Sequence, residues 1–173
     1  MPTTDTNLRP ELARHLRQRL TAFGEGFRRN LALIGPPGSG KTFQLQQLLS
    51  REASTPRILI YCSLYRESCR SFLHRLLCAI LQAGMSKASA ANQPLEILLD
   101  RAERHLPNTV SAIRQIEQLL IRRLYGEAFC RALDTIPILT EERQAPCVLI
   151  LDEFLFLEEL GLVHAFHELG KRV

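Results

Sequence analysis

The sequence predicts an α/β domain of three layers, a parallel sheet flanked by helices, and three observations predict it. Short apolar runs rich in β-branched residues alternate with longer segments of helical periodicity. Gly35-Pro36-Pro37-Gly38-Ser39-Gly40-Lys41-Thr42 fits the phosphate-binding pattern G-x-x-x-x-G-K-[ST] without a mismatch, between an apolar run and a helical segment. Cys147-Val148-Leu149-Ile150-Leu151-Asp152-Glu153 is a further apolar run that ends in adjacent carboxylates.

From about Arg9 to Phe23, Leu12, Leu16, Leu20 and Phe23 recur at helical spacing among charged residues, which predicts an amphipathic helix leading into the core. Gly24-Glu25-Gly26 ends it, and Arg28 and Arg29 read as solvated charge. Leu31-Ala32-Leu33-Ile34 predicts a short buried strand, and Phe43 to Leu49 a helix behind the glycine-rich loop. Ser54-Thr55-Pro56 is a turn into Arg57 to Ser63, whose composition predicts a parallel strand buried on both faces. Cys69, Phe72, Leu73, Leu76, Leu77, Ile80 and Leu81 predict the best-patterned helix, with Arg70, His74 and Arg75 on its outer side. His74 has no second metal-type residue at a useful spacing and reads as a surface histidine.

Gly84 to Gln93 is small and polar and predicts a mobile connection, after which Pro94 suits the first position of a helix reaching about Leu106. Pro107-Asn108-Thr109 separates it from a longer helix to about Tyr125, with Ile113, Ile116, Leu120 and Leu124 in one apolar stripe. Ala128 to Ile138 is ambiguous, because Pro137 limits any helix there, and Glu141 to Gln144 forms a charged approach to the next strand. Leu157, Leu160, Val163, Phe166 and Leu169 predict one more helix, with Gly170-Lys171-Arg172-Val173 as a turn beyond it.

At 173 residues, 46% hydrophobic and 23% charged, the chain supports one globular domain with a proper core: a helix and lead-in over 1–29, then the core over 30–173. The 22 basic and 18 acidic residues permit nucleic acid as a partner without selecting it, and read as solvated surface charge. Cys62, Cys69, Cys78, Cys130 and Cys147 contain no C-x-x-C pair, so neither a disulfide framework nor a zinc site is expected. They read as small apolar residues in a reducing cytosol. The start has no apolar leader and no run approaches a membrane span, so the expected location is cytoplasmic, with no membrane partner.

The loop pattern has a chemical reason. A polyphosphate lies against backbone only where no Cβ intrudes and several N–H groups converge, which assigns close approach to Gly38 and Gly40. The following helix start adds unpaired donors and a positive dipole end, so the binding segment is Gly35, Pro36, Pro37, Gly38, Ser39, Gly40, Lys41, Thr42 and Phe43. Lys41 can reach the β- and γ-phosphates and the Thr42 hydroxyl can join the coordination of Mg²⁺. Asp152, at the end of a buried strand, supplies the second metal position, and Glu153 can polarise an attacking water. A kinase can omit such a glutamate, because its acceptor is the nucleophile, so hydrolysis is favoured. The sequence has no N-K-x-D element for guanine, which leaves ATP as the expected nucleotide.

Asn30 to Thr42, the run Ile58 to Ser63 and Leu149-Ile150-Leu151-Asp152-Glu153-Phe154 together resemble the AAA+ ATPases. The subgroup most similar contains the origin-recognition and replication-initiator ATPases and the related STAND signalling ATPases. The resemblance covers about Asn30 to Phe154 and implies a P-loop NTPase fold with ATP and Mg²⁺ as ligands. It implies Gly38, Gly40, Lys41 and Thr42 on phosphates and metal, Asp152 on metal, and Glu153 as catalytic base. It also implies hydrolysis coupled to a remodelling or assembly step and self-association in the full-length protein; it does not select the client, for which DNA and protein both stay open. Two alternatives stay open: a nucleotide-gated switch or DNA-transaction helper with little turnover, and a phosphotransferase with an acceptor pocket in Ser63 to Arg70. Tyr65, Arg66 and Arg70 read equally as an ordinary helix start.

The sequence departs from the family in places. No adenine-holding box is identifiable in Met1 to Leu8, and the family's sensor strand, arginine finger and helical lid would follow beyond Val173. The sensor strand of the family lies between the strand before the phosphate loop and the strand ending in Asp-Glu. Its loss would leave unpaired backbone in mid-sheet, so the expectation is the N-terminal part of a longer ATPase, truncated before sensor strand and lid. In a complete chain the first and third strands would pair directly, or a partner would complete the sheet.

Overall fold

The computed structural model describes residues 9–24, 30–52, 55–85 and 93–172. Their elements in chain order are α1 (Pro10–Gly24), α2 (Lys41–Glu52), β1 (Ile58–Ser63), α3 (Cys69–Gly84), α4 (Leu95–Ala102), α5 (Pro107–Ile121), α6 (Tyr125–Arg143), β2 (Cys147–Asp152), a 3-10 helix (Phe154–Leu160) and α7 (Ala165–Arg172). The chain is mostly helical, with a small parallel sheet among the described residues, and divides into two compact units, Met1–Thr55 and Pro56–Val173. The predicted break at Glu25-Gly26, together with Arg28, Arg29, Ser54, residues 86–92 of the polar connection, Met1 to Leu8 and Val173, lies outside the described residues.

In the first unit α1 buries Ala13, Leu16 and Leu20 and packs against α2, which buries Leu48. Leu12 and Phe23 are half-buried at the margin of that stripe. The run Leu31 to Ile34 is not the buried strand its composition predicts: it has no regular secondary structure, and Leu31 and Ile34 are 55% and 84% exposed. A strand requires a neighbouring backbone to take its N–H and C=O groups, and the sheet of the described residues comprises β1 and β2 alone.

In the second unit β1 and β2 run parallel, in a register from Ile58 opposite Cys147 to Ser63 opposite Asp152. β1 is buried on one face rather than two. Ile58, Ile60 and Cys62 turn into the core, while Leu59, Tyr61 and Ser63, pointing the other way, are half-buried. α3 packs on β1 and on α6, and its predicted stripe is buried throughout. Phe72 meets Phe129 of α6 at 6.2 Å between ring centroids. Ser68 caps α3 by accepting the Ser71 N–H at 3.1 Å.

Gly84 is the last residue of α3 rather than the start of a mobile connection, and it is buried. A Cβ there would stand 2.6 Å from Leu139 Cδ1 and 2.8 Å from Leu106 Cδ1, so an added methyl must displace the ends of two buried leucine side chains. Pro94 caps α4 without a side-chain bond, and Leu106, fully buried, precedes α5 instead of ending the helix before it. Pro107 to Thr109 do not separate two helices: they form the first turn of α5, held by Glu142 of α6. α5 stops at Ile121, Arg123 takes a positive φ of 58°, and Leu124 is 39% exposed rather than part of the stripe of Ile113, Ile116 and Leu120.

Pro137 does not limit α6, which continues to Arg143. An interior proline costs about 3 kcal/mol, whereas each large aliphatic side chain fully buried returns roughly 1.5–3 kcal/mol, and Leu133, Ile136 and Leu139 are all buried around it. Beyond β2, the single predicted helix is instead a 3-10 helix, a break at Gly161 with φ 69°, and α7. Leu157, Leu162 and Ala165 are buried there, while Val163 is 76% and Phe166 37% exposed. Gly170 to Arg172 continue α7 rather than turning, because Arg172 pairs with Glu168 at 2.7 Å and with Asp134 of α6 at 2.6 Å. Among the described residues no helix is long and apolar enough to cross a membrane.

Candidate nucleotide-binding site

The phosphate loop belongs to the first unit. Ser39 N–H donates to Pro36 C=O at 3.2 Å across Pro37 and Gly38, and Gly38 has φ +72°. Proline followed by a glycine of positive φ is what a tight turn of this kind needs. Gly40, at φ +85°, then turns the chain into α2. Lys41 folds back over the loop, its Nζ donating to Gly35 C=O at 2.9 Å and to Pro36 C=O at 3.2 Å. The first helical bond runs from Gln44 N–H to Gly40 C=O at 3.0 Å. The amides of Lys41, Thr42 and Phe43 precede it and have no earlier helical carbonyl to bond, which leaves them at the positive end of α2.

The space over this loop is open. A Cβ built at Gly38 or Gly40 would meet no atom within 4 Å, whereas one at Gly35 would press on Ser39 Oγ at 3.0 Å. Thr42 is half-buried and Phe43 is 40% exposed. Free amides at a helix start, with a lysine ammonium folded over the glycine-rich turn, fit a polyphosphate.

The Asp-Glu pair belongs to the second unit. Asp152 ends β2 and is 3% exposed, and its backbone C=O accepts from Leu64 N–H at 2.9 Å, extending the ladder beyond β1. Its carboxylate is held on both oxygens: Oδ1 by the Glu153 N–H at 3.0 Å, Oδ2 by the Tyr61 hydroxyl at 2.9 Å. Burial, then this hydrogen bond, push the Tyr61 phenol up to about 12. A carboxylate with one donor per oxygen keeps lone pairs for a hard cation such as Mg²⁺. Glu153 lies one residue past β2, exposed, with φ 54°. Tyr61 was not legible as a site residue. Its only sequence signal is its alternation with Ile60 and Cys62, which turns it to the opposite face.

The segment after β1 is occupied by its own pairings. Arg75 of α3 bonds Glu67 through Nε at 3.3 Å and through a second nitrogen, and its guanidinium lies 4.3 Å from the centre of the Tyr65 ring. Arg66 pairs with Glu159 at 3.1 Å, and Arg70 is exposed on the first turn of α3. His74 is half-buried. The cysteines are free thiols, with Cys62, Cys69 and Cys147 buried and Cys78 and Cys130 partly so. Burial pushes the Cys62 and Cys69 thiols up to about 11. A cavity of about 340 Å³ lies between α5 and α6, with Ser111, Gln115, Glu127, Arg131 and Asp134 on its walls.

No curated protein and no solved structure matches the chain. The family model described as the AAA ATPase domain matches residues 8–161, a stretch that contains both the phosphate loop and the Asp-Glu pair. Nucleotide binding of the ATPase type is therefore its chemistry, and the chain belongs to the AAA ATPase domain family.

Proposed function

We propose that this protein is a cytoplasmic, Mg²⁺-dependent ATPase of the origin-recognition and STAND-like subgroup, with a three-layer core over 30–173 behind an N-terminal helix. The observation that carries the reading is the loop itself. Lys41 is poised on the Gly35 and Pro36 carbonyls at the amide-rich start of α2, in a chain of the AAA ATPase domain family. Lys41 and the amides from Gly38 to Phe43 bind the phosphates and stabilise the charge that develops on them. Thr42 and Asp152 hold the metal through oxygen, and Glu153 orients the water. The metal, when bound, neutralises charge across the β- and γ-phosphates. Self-association, and a DNA or protein client that is remodelled or assembled, complete the proposal.

A second reading, a nucleotide-gated switch with little turnover, is favoured by one observation: Glu153 is exposed beyond the end of β2, on a left-handed residue. A phosphotransferase gains no support, since Tyr65, Arg66 and Glu67 are engaged with neighbouring side chains. The test is equilibrium binding of N-methylanthraniloyl-ATP to the wild type and to Lys41→Ala. Loss of binding in the variant is expected, and wild-type affinity would refute the loop assignment.

A further inference from the structure

The geometry points to Tyr61 as the residue that positions the metal-binding carboxylate of Asp152. This rests on the reading of Asp152 as the metal carboxylate. The aspartate side chain ends in a torsion with broad preferences, so a buried carboxylate keeps one orientation only if both of its oxygens are held. One oxygen is held by the chain itself, through the amide of the next residue at 3.0 Å. The other is held at 2.9 Å by a hydroxyl delivered from the neighbouring strand.

The sheet makes this delivery accurate. Tyr61 stands opposite Ile150 and Ser63 opposite Asp152, so Tyr61 and Asp152 are diagonal neighbours on the same face. A diagonal neighbour is within reach of an aromatic side chain and out of reach of a short one. Rigid ladder bonds on both strands fix the distance. The donor is also neutral, so it orients the carboxylate without cancelling the negative charge that a divalent cation needs, as a lysine or arginine at the same position would. Removal of such an outer partner costs about 10–100-fold in metal affinity or activity.

The test is Tyr61→Phe in the full chain, which keeps the ring and removes the donor. N-methylanthraniloyl-ATP binding is measured in EDTA and across a Mg²⁺ titration, for wild type, Tyr61→Phe, Asp152→Asn and the double variant, each checked for folding by circular dichroism. The expected result is an unchanged affinity in EDTA and a Mg²⁺ midpoint raised about tenfold or more in Tyr61→Phe. In the Asp152→Asn background the same substitution should add nothing, whereas a hydroxyl acting independently of the carboxylate would raise the Mg²⁺ midpoint further there. A wild-type Mg²⁺ midpoint in Tyr61→Phe, with Asp152→Asn impaired, overturns the role of Tyr61 alone. An Asp152→Asn variant whose Mg²⁺ response is intact overturns the reading of Asp152, and the inference falls with it.

Discussion

Glu142→Ala is the perturbation whose size follows most directly from the structure. The first turn of α5 has amides with no helical acceptor, and Glu142 of α6 takes two of them, Asn108 N–H at 2.6 Å and Thr109 N–H at 3.0 Å. The same carboxylate accepts the Thr109 hydroxyl at 2.5 Å. Asn108 is exposed, so water replaces the lost bond there at almost no cost. Thr109 is fully buried, and each of its two donors left without an acceptor costs about 1–3 kcal/mol. Loss of a negative charge at a helix N-terminus adds about 0.3–1 kcal/mol. The expected destabilisation is therefore about 2–7 kcal/mol, a large part of the stability of an ordinary domain.

The assay is urea unfolding followed by far-ultraviolet circular dichroism. With a slope of about 2 kcal/mol/M, the midpoint should fall by about 1–3.5 M. Adding Thr109→Val to the variant removes the stranded hydroxyl and should restore about 1 kcal/mol. A midpoint that does not move would refute the capping argument. A double variant no more stable than Glu142→Ala would show that the hydroxyl was never stranded.

Three further outcomes are expected. Gly84→Ala gains about 1 kcal/mol in helix propensity but forces a methyl against Leu139 and Leu106, an overpacking worth about 1–3 kcal/mol; the net loss is about 0–2 kcal/mol, and a higher melting temperature would contradict the packing role. Stability should fall as pH rises from about 9 towards about 11, because the Cys62 and Cys69 thiols ionise near 9.0 when unfolded and only near 11 when folded, so high pH favours the unfolded chain; a urea midpoint flat across that window would count against it. Glu153→Gln should keep Mg-nucleotide binding and lose phosphate release in a turnover assay, and unchanged turnover would remove Glu153 from the role of base.

The parts of the molecule legible in the sequence are those whose signal is local. The loop from Gly35 to Thr42 is a motif of residue types at fixed offsets, and Gly38 and Gly40 in it take the positive φ that glycine accommodates. The stripe of α3 repeats over several turns, so its buried face could be read residue by residue. Asp152 was placed at a strand end by the apolar run before it. Where a local signal met a non-local one, the local one failed. Pro137 argues against a helix on its own account, yet the core on either side of it carries the helix through. Gly84 looks like the first residue of a loop until Leu106 and Leu139 close around it.

By itself, then, the sequence determined the glycine-rich turn into α2, the faces of its well-patterned helices and the acidic end of β2, because each is written in residues a few positions apart. Only the tertiary structure decided what reaches what across the chain. Glu142 meets Thr109 from 33 residues away and Tyr61 meets Asp152 from 91 away. It decided likewise that Leu31 to Ile34 form no strand, since an apolar run becomes one only when another backbone accepts its hydrogen bonds. Periodicity states which side of an element is apolar, and the partner of that side is a property of the whole fold.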